Sequence, residues 1–172
     1  DKLNMFARVE LSMYQDNKSE IREMFDAKPE NFVDVAVAFV NAGFYKDAIA
    51  VLEISDNKYP LYDYYKAYCY KMLGDIDGAI KAIQTAETMD EGYCFPSRID
   101  DIAVLENAIQ MCDNSAKANY YLGCLFYDRF NYDKAISLWE DAIRISPKYA
   151  KAYRNLSLAY FDRKKDFLGA KV

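Results

Sequence analysis

Residues 116–149 read AKANYYLGCLFYDRFNYDKAISLWEDAIRISPKY, and the rest of the 172-residue chain can be laid against this stretch. Within it Leu122, Gly123, Phe126, Ala135, Trp139, Ala142 and Pro147 fall where a unit of two packed helices needs bulky, small and helix-stopping residues. Ala150-Lys151-Ala152-Tyr153 begins the pattern again 34 positions after Ala116. A helix–turn–helix period of this length predicts an array in which each pair of helices buries its apolar face on its neighbours.

The same spacing recurs upstream. From Pro29, Phe32, Val35, Ala36 and Phe39 predict a first helix, Gly43 a turn, and Ala48, Ile49 and Leu52 a second helix. Ala67, Tyr70 and Leu73, then Gly74, then Ala79, Ile80, Ile83 and Ala86 repeat it. Gly43 to Gly74 and Ala48 to Ala79 are both 31 positions, so this repeat is about three residues short, in its second helix or in the loop at Ser55 to Tyr59. Small residues at Ala36, Ala67 and Gly123 let the second helix come close, since overpacking there would cost ~1–3 kcal/mol.

Upstream of Pro29 the chain departs from the period. Leu3, Phe6, Ala7, Leu11 and Tyr14 predict one short helix, Asp16 to Ser19 a break, and Ile21, Met24 and Phe25 a second, closed by Lys28-Pro29. This pair reads as a cap over an apolar end face. A further departure lies at 90–115. Ser97 with Asp100 resembles a capping box, and Ile102, Leu105, Ile109 and Cys112 make one stripe matching a second helix whose first helix is missing. The link DEGYCFPS, 90–97, can span about 26 Å extended, more than the ~20 Å of a 13-residue helix. It is expected to cross back and lay Tyr93 and Phe95 where that helix would have packed. In the last unit Tyr153, Leu156, Ser157 and Tyr160 predict a first helix and Lys164 to Gly169 a turn, after which the second helix is cut off.

The expected organisation is one all-α right-handed superhelical domain, 1–172. It comprises a capping hairpin at 1–28, repeats at 29–59 and 60–89, an extended link plus extra helix at 90–115, a repeat at 116–149 and a truncated repeat at 150–172. Starting at Asp1 and stopping partway through a unit, the chain reads as a piece of a longer protein, so the lack of a signal peptide says nothing of the parent.

Composition narrows the function classes. Hydrophobic residues make up 52% and charged residues 28%, which is no disordered composition. The net charge of −5, with basic residues scattered, argues against a nucleic-acid surface. No apolar run approaches the roughly 20 residues of a membrane-spanning helix. Cys69, Cys94, Cys112 and Cys124 form no CxxC pair, which argues against structural zinc or a disulfide framework and fits a reducing cytoplasm. Histidine, the commonest general base, is absent. No glycine belongs to a GxGxxG or P-loop pattern. Asp75-Ile76-Asp77-Gly78 resembles the start of a calcium loop but lacks its later glutamate, and Asp77 reads as a helix-start residue. Asp100, Asp101 and Glu106 read as a solvated first turn favoured by the helix dipole. No cofactor, metal or catalytic residue is expected.

The stretch YLGCLFYDRFNYDKAISLWEDAIRISP resembles the tetratricopeptide repeat family, with Asn119 where a tryptophan is common. More narrowly, YCFPSRIDDIAVLE, YYLGCLFYDRFNYDKAISLWE and YRNLSLAYFDRKKD are similar to the C-terminal repeat region of large bacterial proteins whose N-terminal part is a β-rich, galactose-mutarotase-like domain. The family resemblance implies a tetratricopeptide-like α-solenoid acting as a protein-interaction scaffold. Its concave face would be lined by Leu61, Tyr64, Tyr68, Lys71 and Met72, by Lys117, Tyr120, Cys124, Tyr127 and Asp128, and by Lys151, Arg154, Leu158, Phe161 and Asp162. The partner-binding residues expected among these are Tyr64, Tyr68, Lys71, Lys117, Tyr120, Tyr127, Lys151 and Arg154, because tyrosine and arginine dominate binding hot spots. They would suit an extended peptide with an acidic end. Tyr70, Tyr121, Tyr153 and Tyr160 are assigned to packing. The carboxylate clamp of some family members is echoed only by Lys151, Arg154 and Asn155. The narrower resemblance implies an accessory domain docking on a carbohydrate-active domain of the same chain, and the uncovered last unit implies self-association.

Overall fold

A computed structural model describes the backbone of residues 2–25, 28–90 and 94–169, with side chains described for 6–25, 28–90 and 94–161. Among the described residues there are ten helices and no strand: α1 (Lys2–Tyr14), α2 (Lys18–Phe25), α3 (Pro29–Asn41), α4 (Tyr45–Ile54), α5 (Pro60–Met72), α6 (Ile76–Thr88), α7 (Asp100–Met111), α8 (Ala116–Asp128), α9 (Tyr132–Ile145) and α10 (Ala150–Gly169). The architecture is an all-α, tetratricopeptide-like run of helix pairs. It divides into two compact units, Asp1–Cys94 and Phe95–Val172. The division falls inside the link that the sequence marks as irregular.

The pairs α3–α4, α5–α6 and α8–α9 share one turn chemistry. Backbone N–H groups of Phe44, Asp75 and Asn131 donate to the carbonyls of Phe39, Tyr70 and Phe126 at 2.8, 2.9 and 2.9 Å. One residue earlier, Gly43, Gly74 and Phe130 donate to Val40, Lys71 and Tyr127. This double closure satisfies carbonyls that a helix end leaves unpaired, and it needs a left-handed residue at its centre. Gly43 and Gly74 adopt φ of 81° and 83°, whereas the most regular repeat uses Phe130 at φ 61°.

The second helices differ in length: α4 has 10 residues, α6 has 13 and α9 has 14. The shortening of the first repeat therefore lies in its second helix. The first-helix positions chosen for close approach are sealed, with Ala36 and Ala67 at 0% exposure. A Cβ placed on Gly123 would stand 2.5 Å from Trp139 Nε1.

In the first unit α2 is clamped to the end of α4, because Arg22 Nε donates to the Ile54 carbonyl at 2.7 Å and Arg22 Nη2 meets Asp56 Oδ1 at 3.1 Å. Phe25 packs edge-on against Phe32, which does the same to Tyr62. The face that α1 buries differs from the expected stripe. Val9 and Ser12 are buried, while Leu11 is 55% and Tyr14 91% exposed. Val9 is fully buried, the Phe6 ring lies 5.0 Å from Phe39, and Ser12 Oγ donates to Glu20 Oε2 at 2.9 Å on this face, which leaves Leu11 and Tyr14 turned outward. Leu3 lies outside the residues with described side chains.

Three further expectations are corrected. Ser97 and Asp100 do not form a capping box. Asp101, fully buried, accepts from the backbone N–H of Ser97 and Arg98 at 2.8 and 2.9 Å, and α7 starts after Ile99. Phe95 is 70% exposed instead of packed in place of a helix, Tyr93 lies outside the described residues, and the crossing of the link rests on 91–93, also outside them. Nor does the chain turn at Lys164 to Gly169, since α10 runs unbroken to Gly169. That stretch has no proline and no glycine before Gly169, so nothing local stops a helix there.

Candidate functional site

In the second unit Ala135, Ile136 and Trp139 of α9 and Ala159 of α10 form a buried core, with Tyr120, Cys124, Phe126, Tyr127 and Leu156 packed around it. Gly123 is what admits the indole. With no side chain there, Trp139 lies flush on α8 and its Nε1 donates to the Tyr120 carbonyl at 3.2 Å. The Tyr127 ring rests 5.4 Å from Trp139 and 4.9 Å from Tyr132, centroid to centroid, which fixes its plane. The Tyr120 and Tyr149 rings meet at 5.0 Å, centroid to centroid, tilted by 52°.

From α10, Asn155 reaches across to α8. Its Nδ2 donates to the Tyr120 hydroxyl at 3.5 Å and to Cys124 Sγ at 3.4 Å. Beside this bridge opens a recess of about 340 Å3 lined by Cys124, Tyr127, Asp128, Trp139, Asn155 and Leu158. Its chemistry is an aromatic and aliphatic wall with one amide and one carboxylate at the edge. Lys151 and Arg154 are exposed on α10. Such a concave apolar surface with a few polar groups suits a side chain or a short extended segment.

The expected face is thus gathered in part. Cys124, Tyr127, Asp128 and Leu158 share the recess, Tyr120 is half-buried and bonded to Asn155 of its lining, and Lys151 and Arg154 are exposed on α10 without lining it. Tyr68 and Lys71 lie in the other unit on α5, the first half-buried and the second exposed. Leu61 of the expected face is 0% exposed, and two of the eight partner-binding residues expected there are also buried and must be withdrawn. Tyr64 has 0% exposure and its hydroxyl donates to Glu87 Oε1 at 2.7 Å, so ring and polar end are both engaged inside the protein. Lys117 is 5% exposed in a first turn of α8 that is buried throughout, and a buried ammonium is held by the fold instead of offered to a partner. Tyr121 packs as assigned, but Tyr153 and Tyr160 are 48% and 44% exposed, because no second helix covers α10 among the described residues.

Sequence reasoning missed Trp139 as a wall and Asn155 as the bridge. Burial pushes the Cys69 thiol up to about 12, and among the described residues no three His, Cys, Asp or Glu side chains are placed to hold a metal. No helix is long and apolar enough, among the described residues, to cross a membrane.

Residues 116–149 match the family model of the tetratricopeptide repeat, the unit made by α8 and α9. Among solved structures, the chain is similar to the crystal structure of MamA, with 22% identity over 86% of this chain and 75% of that one, at a TM-score of 0.38. It is also similar to YrrB, described as a TPR protein with an unusual peptide-binding site, with 15% identity over 90% and 91% of the two chains and a TM-score of 0.35.

Proposed function

We propose that this chain is a non-catalytic protein-interaction scaffold and that the α8–α10 recess is where it takes hold of a partner. One observation supports this above the others: Cys124, Tyr127, Trp139, Asn155 and Leu158, drawn from three helices, line one cavity, and α10, which supplies Asn155 and Leu158, also carries the exposed Lys151 and Arg154. The occupant is an extended peptide whose apolar side chain enters between Tyr127 and Leu158, with an acidic group on Arg154 or Lys151. Arginine suits that role because its fork pairs with both oxygens of a carboxylate. Tyr68 and Lys71 are further contact residues in the first unit. A reducing, cytoplasmic setting accompanies this reading, since none of the four cysteines is in a disulfide, and a bacterial source is what the sequence resemblance implies.

Selection from a random peptide display library tests it. Enriched peptides are expected to lose binding to Tyr127→Ala and Arg154→Ala and to shift the emission of Trp139, the sole tryptophan. Peptides that bind both variants as well as the wild type would refute the groove. If instead the chain captures only the β-rich domain of its own parent supplied in trans, the accessory-domain reading suggested by the sequence resemblance replaces it. Self-association through Tyr153, Leu158 and Phe161, which are 48%, 50% and 57% exposed, would show as a dimer in sedimentation that Phe161→Asp dissolves.

A further inference from the structure

The first unit carries a second recess, apart from the groove above and of different chemistry. It measures about 360 Å3 and is lined by Glu10, Met13 and Tyr14 of α1, Phe39 of α3, Phe44 of the α3–α4 turn and Asp47 of α4. Three of these six residues are aromatic, one is a thioether, two are carboxylates, and none is basic. The nearest arginine on α1, Arg8, is engaged with Glu20 at 3.1 Å.

Two features show that local stability is given up to make this surface. Tyr14 and Phe44 are large apolar side chains left 91% and 54% exposed at its rim. Phe44 also stands at the helix-start position where the other two repeats carry Asp75 and Asn131. Those side chains accept from the backbone N–H of Gly78 and Lys134, whereas Phe44 makes no side-chain cap. An apolar residue is disfavoured there. The repeat pattern asks for a small polar group and the chain supplies a ring facing a cavity.

We infer that this recess binds the cationic side chain of an arginine- or lysine-bearing peptide, its charge set against Glu10 and Asp47 and its alkyl stem and head against Phe39, Phe44 and Tyr14. A cation near aromatic rings is attracted by their electron-rich faces, and the methylene stem of either residue is content on apolar walls. Charge decides against other occupants, since two carboxylates oppose an acidic peptide and disfavour a purely apolar one. The volume, near the small end of ligand clefts at about 300–1,000 Å3, admits one long side chain and not a helix.

The probes are three capped tripeptides, acetyl-Ala-X-Ala-amide with X arginine, norleucine or glutamate, titrated at millimolar concentration into the full chain while amide NMR shifts are followed. The arginine peptide is expected to give saturable shifts confined to α1, α3 and the start of α4, with weaker or absent response to the other two. Glu10→Gln and Asp47→Asn should each weaken it by about two- to fivefold. Phe44→Asn should abolish it while leaving thermal stability equal or higher, because the new side chain supplies the missing cap, so lost binding cannot be blamed on misfolding. The inference is overturned if norleucine binds as tightly as arginine, if Phe44→Asn still binds, or if the arginine peptide produces no saturable shift in these helices. It does not depend on the α8–α10 groove, whose variants should leave these shifts unchanged.

Discussion

Replacing Gly123 by alanine sets two opposed effects against each other, and the structure says which wins. Alanine in a helix interior is favoured over glycine by about 1 kcal/mol. Its methyl carbon, however, would stand 2.5 Å from Trp139 Nε1, 2.7 Å from Cδ1 and 3.2 Å from the Ala135 carbonyl. Trp139 is 2% exposed, and moving the indole, even towards the recess it walls, breaks the bond from Nε1 to the Tyr120 carbonyl. Overpacking costs ~1–3 kcal/mol, and a buried N–H left without its acceptor costs a further ~1–3 kcal/mol. The expected net is a loss of about 1–3 kcal/mol, allowing for partial relaxation. Urea unfolding followed by the fluorescence of Trp139, the sole tryptophan, reports on the right unit. With a slope of roughly 1–3 kcal/mol per molar, the midpoint should fall by roughly 1 M. Gly78→Ala is the matched control: the atoms nearest its new methyl are those of the exposed Asp75 carboxylate, which can swing away, so a lost cap of ~1 kcal/mol and a helix gain of ~1 kcal/mol nearly cancel. A Gly123→Ala protein as stable as wild type, with unchanged emission, would refute the close-packing account.

Other outcomes follow from the same coordinates. Phe130→Gly should raise the second unit's melting temperature by a few degrees, because a non-glycine left-handed residue costs ~1–2 kcal/mol and this ring is 79% exposed, with Tyr132 6.2 Å away as its ring neighbour; an unchanged or lower value contradicts this. A thiol reagent at pH 8 should modify half-buried Cys112 and Cys124 in the native protein and reach buried Cys69 and Cys94 only after denaturation; mass spectrometry of the labelled peptides decides it. Hydrogen bonds from Arg8 and then Ser12 hold the Glu20 carboxyl below its usual 4.5. Its contribution to holding α1 on α2 is therefore full above that value and fades as pH falls through the lowered one. Glu20→Gln should loosen the α1–α2 amides to hydrogen exchange at neutral pH and make little difference in acid, and a pH-independent difference would count against the pairing.

Much of the fold was legible because helix periodicity and turn glycines are local signals. Ala36, Ala67 and Gly123 marked the close contacts, and the three missing residues of the first repeat were visible before α4 could be measured. What was not legible depended on rotation and on covering partners. Leu11 and Tyr14 fit a helical stripe, yet the face of α1 that is buried is the one carrying Phe6, Val9 and Ser12, which meet Phe39 and Glu20 of other helices. Tyr64 and Tyr120 occupy equivalent repeat positions, but Tyr64, bonded to the Glu87 carboxylate, is sealed in, while Tyr120 stays half-buried. Phe130 hid its left-handed role because no glycine announced it.

The α8–α10 recess has a specific origin that the repeat register makes plain. At one position of the first helices, α5 and α8 carry Tyr65 and Tyr121, at 0% and 2% exposure. In α10 the equivalent residue is Asn155. A tyrosine there would extend a ring towards α8. The shorter amide instead stops at Tyr120 and Cys124, leaving the volume beside it open. One position of α8 contributes similarly, since Cys124 takes the place that α5 gives to Tyr68. Two aromatic rings that the register would place are thus replaced by an amide and a thiol, while Trp139 and Tyr127 keep the remaining walls rigid. The space beside Asn155 opens where the register's two tyrosines are withheld, and this is why the recess lies between α8 and α10.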